Sequence, residues 1–126
     1  MKTFITTADA PAPIGPYNQA VLVKDTLYIS GQTPINPANG KLVEGDIKAE
    51  ATQCMNNLEA ILKAAHMTFS NVVKSSIFLK DMHQFSMVNE VYGSYFDAAT
   101  APARETVEVA NLPMFVNVEI SMIAVK

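Results

Sequence analysis

Phe115-Val116-Asn117-Val118-Glu119-Ile120-Ser121-Met122-Ile123-Ala124-Val125 decides how the rest of the chain is read. Val116, Val118, Ile120, Met122 and Ala124 form an unbroken apolar row at period two, the pattern of a strand with one face in a core. The other row, Phe115, Asn117, Glu119, Ser121 and Ile123, mixes aromatic, apolar and polar groups. Such a face suits another subunit better than bulk water, and a homo-oligomer is expected.

Upstream, residues 104–110 read as a partner strand, joined to this one across Asn111-Leu112-Pro113-Met114. An antiparallel hairpin pairing Val109 with Val116 sets Thr106 opposite Glu119 and Arg104 opposite Ser121. Arg104 and Glu119 then share a face as diagonal neighbours, about 7–8 Å apart, a gap that an arginine spans. A slip of one residue would turn Glu119 to the side of Val118 and Ile120, which hydrophobic patterning disfavours. A buried charge is costly unless paired. Two readings stand. Arg104 and Glu119 form an ion pair tying two strands, or Arg104 offers its planar fork to a ligand carboxylate while Glu119 holds or deprotonates a water.

Working outward, Asp46 is a plausible N-cap for a helix of about 20 residues. Ile47, Ala51, Cys54, Leu58, Ile61, Leu62 and Ala65 make its apolar stripe. Residues 72–80 alternate as a strand with Val73, Ile77 and Leu79 on one face. A second helix is expected from His83 to Ala98, capped by Asp81, with Phe85, Val88, Tyr92 and Phe96 in line. Residues 3–6 make a short first strand. The proline-rich stretch Ala10–Tyr17 is loop, because each proline removes a backbone donor. Residues 18–23 and 26–31 form a hairpin turning at Lys24-Asp25, and Thr33–Gly45 reads as loop. Amphipathic helices over one face of a mixed sheet define an α+β fold.

With 126 residues the chain is one domain on length, residues 1–126, and 49% hydrophobic residues suffice for its core. The net charge of −3 and the absence of a Lys/Arg cluster argue against a nucleic-acid partner. No apolar run approaches a membrane span, the N-terminus lacks a signal-peptide core, and the single cysteine, Cys54, precludes an intrachain disulfide. A cytoplasmic location is expected. Cys54 lies on the helix stripe as an inert core residue. His66 and His83 have no partner at ligand spacing, so no metal site is expected, and no phosphate-cradling glycine loop is present.

Tyr28-Ile29-Ser30-Gly31-Gln32 is a second candidate patch, since a Ser-Gly at a strand end offers a hydroxyl and an unobstructed N–H to an oxyanion. Tyr17 after Gly15-Pro16 could form an aromatic lid. Turn formation and packing are the plainer readings of both.

Read in order, Ile14-Gly15-Pro16-Tyr17, Ile29-Ser30-Gly31-Gln32-Thr33-Pro34, Asn36-Pro37-Ala38-Asn39-Gly40, Val73-Lys74, Phe78-Leu79-Lys80-Asp81-Met82, Val88-Asn89, Pro102-Ala103-Arg104 and Val118-Glu119-Ile120 resemble the RidA/YjgF family of enamine/imine deaminases. The resemblance runs over essentially all of the chain. It implies a chorismate-mutase-like protomer, with two long helices on one face of a mixed sheet, assembled as a homotrimer with clefts between subunits. It also implies hydrolysis of reactive 2-imino acids, such as 2-iminopropanoate from 2-aminoacrylate, to 2-keto acids and ammonia, with no cofactor. By that match Arg104 holds the substrate carboxylate and Glu119 orients water. Tyr17, Ser30, Gly31, Asn89 and Thr106 line the cleft. Thr106 stands where many members carry cysteine, Glu105 where small or apolar residues are common, and Ser121 replaces a second acid. A non-catalytic trimer binding 2-keto or amino acids, with a regulatory or chaperone-like role, is the competing expectation. Ribonuclease activity fits the net negative charge poorly.

Overall fold

The computed structural model describes residues 1–126. In chain order the elements are β1 (Lys2–Ile5), β2 (Ala20–Val23), β3 (Thr26–Gln32), β4 (Ile35–Asn36), β5 (Lys41–Leu42), α1 (Ile47–Ala64), β6 (Val72–Leu79), α2 (Phe85–Gly93), β7 (Ala103–Glu108) and β8 (Val118–Val125). Six strands form one mixed sheet in the order β1-β2-β3-β8-β6-β7, and β4 pairs with β5 in a separate ribbon. The fold is α+β, as the hydrophobic periods predict.

α1 starts where its cap is. Asp46 is extended and its Oδ1 accepts from the Lys48 N–H at 3.0 Å. It ends in a Schellman turn: the His66 N–H reaches the Lys63 carbonyl and the Met67 N–H the Leu62 carbonyl, with His66 at φ 60°. Leu58, Ile61 and Leu62 are fully buried against the sheet. Each such side chain contributes about 1.5–3 kcal/mol relative to exposure.

Three expectations change. The segment Thr33–Gly45 is not all loop, because Ile35–Asn36 and Lys41–Leu42 pair as a small hairpin. The second helix is shorter, running only from Phe85 to Gly93, and Asp81 caps a preceding 3₁₀ turn over Met82–Gln84. Past Gly93 the Ser94 hydroxyl bonds back to the Val91 carbonyl, and the chain turns so that Tyr95 packs tilted and Phe96 edge-on against Phe69. On β6 a bulge between Val72 and Lys74 buries Val72 and turns Val73 outward. Ser75, Ile77 and Leu79 are therefore the core row.

The largest correction concerns the last two strands, which do not form a hairpin. β7 pairs parallel to β6, the outcome of a β6–α2–β7 crossover, and lies at the sheet edge. β8 enters between β3 and β6, antiparallel to both. In this register Arg104 lies beside Ser75 and Met122, whereas Glu119 lies beside Phe78, which neighbours Val107. Thr106 aligns with Ile77 and Ile120, not with Glu119. Ser75, Met122, Ile77 and Ile120 belong to the buried row under the helices. Arg104 and Glu119 therefore face opposite sides of the sheet. Two strand spacings and three residues of rise put their Cα atoms roughly 14 Å apart.

A polar tie fixes α1 to the loop after β3. Asn57, with no exposed surface, donates from Nδ2 to the carbonyls of Thr33 (3.2 Å) and Ile35 (2.9 Å) and accepts at Oδ1 from Gln53 (2.9 Å). Asn57→Ala removes the side-chain donor of the Ile35 carbonyl, whereas the Thr33 carbonyl keeps the Ile35 N–H at 2.8 Å, and a loss of about 1–3 kcal/mol is expected, the cost of one buried group left unsatisfied. The check is the shift in denaturation midpoint. A loss under about 1 kcal/mol would mean that water replaces the amide.

Candidate functional site

The residues singled out in the sequence fall into two groups on the two faces of the sheet.

The first group surrounds Glu119. β3 carries a bulge: Ile29 pairs with Met122 and Gln32 with Ile120, so three steps on β3 match two on β8. The extra residue falls at Ser30-Gly31, a device that re-aims side chains at functional sites. Ser30 spends its hydroxyl on the Asn18 carbonyl at 2.6 Å and its N–H on the Gln19 carbonyl at 3.0 Å. Gly31 is needed for space. A Cβ there would collide with the Glu119 carboxyl group, lying 2.8 Å from its Cδ. Tyr17, half-exposed, lines the same recess, with its hydroxyl accepting from the Ile14 N–H at 3.4 Å. Ile14, Tyr17, Ser30, Gly31, Pro113 and Glu119 meet there.

Three further residues hold these walls. Gln19, almost fully buried, ties the loop before β2 together by donating to the carbonyls of Thr7, Ala10 and Pro11 and accepting from the Thr7 N–H. On the other side the chain enters β8 through Met114 and Phe115, both at positive φ (57° and 56°). The left-handed region costs a non-glycine residue roughly 1–2 kcal/mol, so strain is stored in the recess wall. None of the three was singled out by sequence as part of a site. The signal for Gln19 was a polar side chain opening a strand. For Met114 and Phe115 none existed, since a glycine-free stretch gives no hint of positive φ.

Glu119 has no ion-pair partner among the salt bridges of the chain. Its carboxyl group is half-buried, and burial alone holds its pKa above the ordinary carboxylate range. Cys54 lies beneath β8, its Sγ 3.9 Å from the Val118 carbonyl, and burial with the nearby Glu119 and Glu50 pushes its thiol well up. It is an inert core residue, as its helix position predicted.

The second group surrounds Arg104. Its guanidinium donates from Nη1 to Asn89 Oδ1 at 2.8 Å and lies over the rings of Tyr92 (4.9 Å) and Phe85 (5.7 Å). The helix stripe read as core thus does a second job. The Tyr92 hydroxyl is fixed by Ser75 at 2.9 Å. Two residues along β7, the Thr106 hydroxyl is buried with no hydrogen-bond partner. Arg104 has no carboxylate partner either. The strand-tying ion pair is therefore overturned, because β6 lies between the two charges. Glu105, next along the strand, points to the opposite face and bonds with Lys74 at 2.8 Å and with the Ser76 hydroxyl.

Elsewhere, His83 bonds Asp81 at 2.8 Å, and His66 forms the helix terminus. No group of three or more His, Cys, Asp and Glu side chains converges to hold a metal. No helix is long and apolar enough to cross a membrane.

The chain is thus an α+β fold with a carboxylate recess on one face of its mixed sheet and, on the other, an arginine that has no carboxylate partner. The chain belongs to the RidA/YjgF family: residues 7–126 match the family described as Endoribonuclease L-PSP. It is 51% identical over its whole length to a 2-iminobutanoate/2-iminopropanoate deaminase of Bos taurus, covering 91% of that protein. The solved structure of the YjgF gene product from E. coli superposes with a TM-score of 0.92 at 42% identity, covering 98% of both chains. E. coli TdcF, solved with bound serine, gives the same TM-score at 37% identity, again over 98% of each chain.

Two outcomes follow from the Glu119 geometry. Gly31→Ala drives the carboxyl group toward solvent, so its pKa, followed by carbon-13 NMR, should fall toward the ordinary value; an unchanged pKa would show that the methyl is accommodated. A raised folded-state pKa contributes stability that is present below the ordinary carboxylate pKa and lost as pH rises through the folded value. Glu119→Gln should therefore melt higher than the parent near neutral pH, with the advantage vanishing in acid. An advantage independent of pH would remove burial of the charge as its cause.

Proposed function

We propose that this chain is a hydrolase of reactive 2-imino acids, the tautomers of enamines such as 2-aminoacrylate, giving 2-keto acids and ammonia. The observation that carries this reading is Arg104. A guanidinium oriented by an amide and two rings, with no carboxylate of its own chain to bind, is a receptor for an anion supplied from outside. The unpartnered Thr106 hydroxyl beside it supports the same reading as a second donor. Asn89 orients the fork.

Glu119 supplies the chemistry. Burial raises its pKa toward the working pH and so makes its carboxylate a stronger base than a solvated one. It accepts a proton from a water as that oxygen bonds to the imine carbon, and passes this proton to the nitrogen, giving a tetrahedral adduct that carries a hydroxyl and an amino group. The hydroxyl proton then moves to the amino nitrogen, again by way of Glu119, as the carbonyl forms and the C–N bond breaks, so that ammonia leaves and the carboxylate is regenerated. A 2-imino acid hydrolyses in water unaided, so orientation and a placed water are the only contributions required. Tyr17 and the Ser30-Gly31 bulge close the wall beside the reacting carbon.

One small substrate cannot touch Arg104 and Glu119 of the same chain across a sheet. The reading therefore requires that the Arg104 half of one subunit face the Glu119 half of the next, in a homotrimer with a cleft at each boundary. The exposed edge of β7 and the open sheet face suit such a boundary. Phe4 and Tyr28, each about half exposed on that face, supply apolar surface, and the Lys74–Glu105 pair supplies its rim.

A purely binding role is the less economical reading, because a binding pocket has no use for a carboxyl group kept half-buried without a partner. The ribonuclease reading raised by the family's description calls for cations against phosphates. Here 9 Lys and Arg face 12 Asp and Glu.

A dehydratase-coupled assay that follows enamine decay tests the activity, and absence of acceleration sinks it. Arg104→Ala should lose at least about tenfold, the worth of one charge-assisted bond, and Arg104→Lys should rescue poorly. Mixing unfolded Arg104→Ala and Glu119→Gln chains in equal amounts and refolding them should restore about a quarter of parent activity, since a site with both intact halves forms in that share of random pairings. No restoration would place both residues in one subunit's site.

A further inference from the structure

One buried ionisable group has no part in the chemistry above. Glu50, in the first turn of α1, is 4% exposed, and its Oε1 accepts from Asn117 Nδ2 at 3.0 Å. We propose that Glu50 is a positioning residue for Glu119: through Asn117 it holds the strained turn that walls the recess, and so keeps the Glu119 carboxyl group in place. Its effect on turnover rests on the deaminase reading; its effect on the placement of Glu119 does not.

The plainer role for an acid here is to complement the helix dipole. An exposed acid serves that purpose without being desolvated, and Glu44 and Asp46, beside the same helix start, are both exposed. Burying a third carboxyl group is costly. Burial, with Asp46 and Glu44 nearby, holds the Glu50 pKa above the ordinary carboxylate range, although the Asn117 bond pulls it down. A dipole does not require that burial. A fixed hydrogen bond to the chain just ahead of β8 does.

What Glu50 holds is the recess wall. Between Leu112 and Val116 the turn has only its own bonds, from the Phe115 N–H to the Leu112 carbonyl (2.9 Å) and from the Val116 N–H to the Pro113 carbonyl (3.3 Å). Met114 and Phe115 nonetheless stay at positive φ, a conformation that the surroundings must impose. The hydrogen-bonded tethers lie at the two ends. Before the turn, Lys80 Nζ donates to the Ala110 carbonyl and to Asn111 Oδ1 (2.8 Å). After it, the Asn117 carbonyl accepts the Lys80 N–H at 3.0 Å, and the Asn117 side chain goes to Glu50. Asn117 stands two residues from Phe115 and two from Glu119, so a shift there moves both.

Glu50 also stands directly behind this wall. With Glu44, Met114, Phe115 and Asn117 it borders a cavity of about 60 Å³, and Met114 lines the Glu119 recess as well. That space takes water but no second substrate. The rest of the helix stripe extends the support. Cys54 Sγ lies against the Val118 carbonyl, and Asn57 holds the carbonyls of Thr33 and Ile35, which line the recess. Positions 50, 54 and 57 fall on one side of α1, so a single helix face backs both the β3 and the β8 walls.

The test is the Glu119 pKa, followed by carbon-13 NMR in the intact protein and in Glu50→Ala, Glu50→Gln and Asn117→Ala. Both alanine variants free the turn and let water reach Glu119, so its pKa should fall toward the ordinary carboxylate value. Glu50→Gln keeps an oxygen for Asn117 and removes only the charge, so the Glu119 pKa should stay at the parent value. Asn117→Ala, at a partly buried position, carries the test if Glu50→Ala does not fold. In the dehydratase-coupled assay the alanine variants should lose kcat at least about tenfold, since a misplacement of about 1 Å can cost about a hundredfold. KM should change little, because the carboxylate receptor is intact.

A lower melting temperature with the parent's Glu119 pKa and kcat in the folded alanine variants makes Glu50 a stability residue and overturns the proposal. So does a Glu119 pKa in Glu50→Gln that falls as far as in the alanine variants, because the charge and not the hydrogen bond would then be responsible. If the parent accelerates no imine, the deaminase reading fails, and the Glu119 pKa values alone decide the positioning role.

Discussion

β8 is hydrogen-bonded along both edges, to β3 on one side and to β6 on the other, and the placement of every functional group follows from that. A strand buried in the middle of a sheet must satisfy two rows of backbone groups and fill a core row without gaps. Val118, Ile120, Met122 and Ala124 do so with at most 2% exposure. With alternate positions committed to the core, Glu119 is turned to the opposite face. β6 then separates β8 from β7, and Arg104 enters the helix-covered side. The two charges were set apart by packing that involves neither of them.

That separation carries an energetic consequence. Within one chain each charge is left without an opposite partner, a state that costs free energy unless something else supplies the partner. Arg104 is partly compensated by Asn89 and by two aromatic faces, which suit the planar guanidinium. Glu119 is compensated by nothing and responds with a raised pKa. Oriented but unneutralised groups are what binding an anion and activating a water require. In the proposed assembly, stability given up in the protomer becomes binding and catalytic capacity at the subunit boundary.

Much of the protein was legible in its sequence. The Asp46 cap, the α1 stripe, the hairpin of β2 and β3, the strand character of 72–79 and 118–125 and the α+β class follow from local periodicity and capping chemistry. The candidate residues were also legible by type: Tyr17, Ser30, Gly31 and Glu119 do meet, as do Asn89, Arg104 and Thr106. The hairpin joining 104–110 to 115–125 was not there. Period-two alternation identifies a strand and its apolar side but says nothing of its neighbours, and sequence proximity proved a poor guide to pairing. The bulges at Val73 and Ser30-Gly31 escaped for a related reason, since each exists only against a partner strand.

The sequence by itself determined which segments are helix or strand, which side of each is apolar, and which few residues carry charge into the sheet. Those properties are local, set by side-chain chemistry against a backbone period. Only the tertiary structure decided that Arg104 and Glu119 stand on opposite faces, because strand order depends on how two helices and six strands jointly bury one core. It also decided that Gly31 must be glycine, since the atom a larger residue would strike belongs to a side chain 88 positions further along, at residue 119 rather than 31.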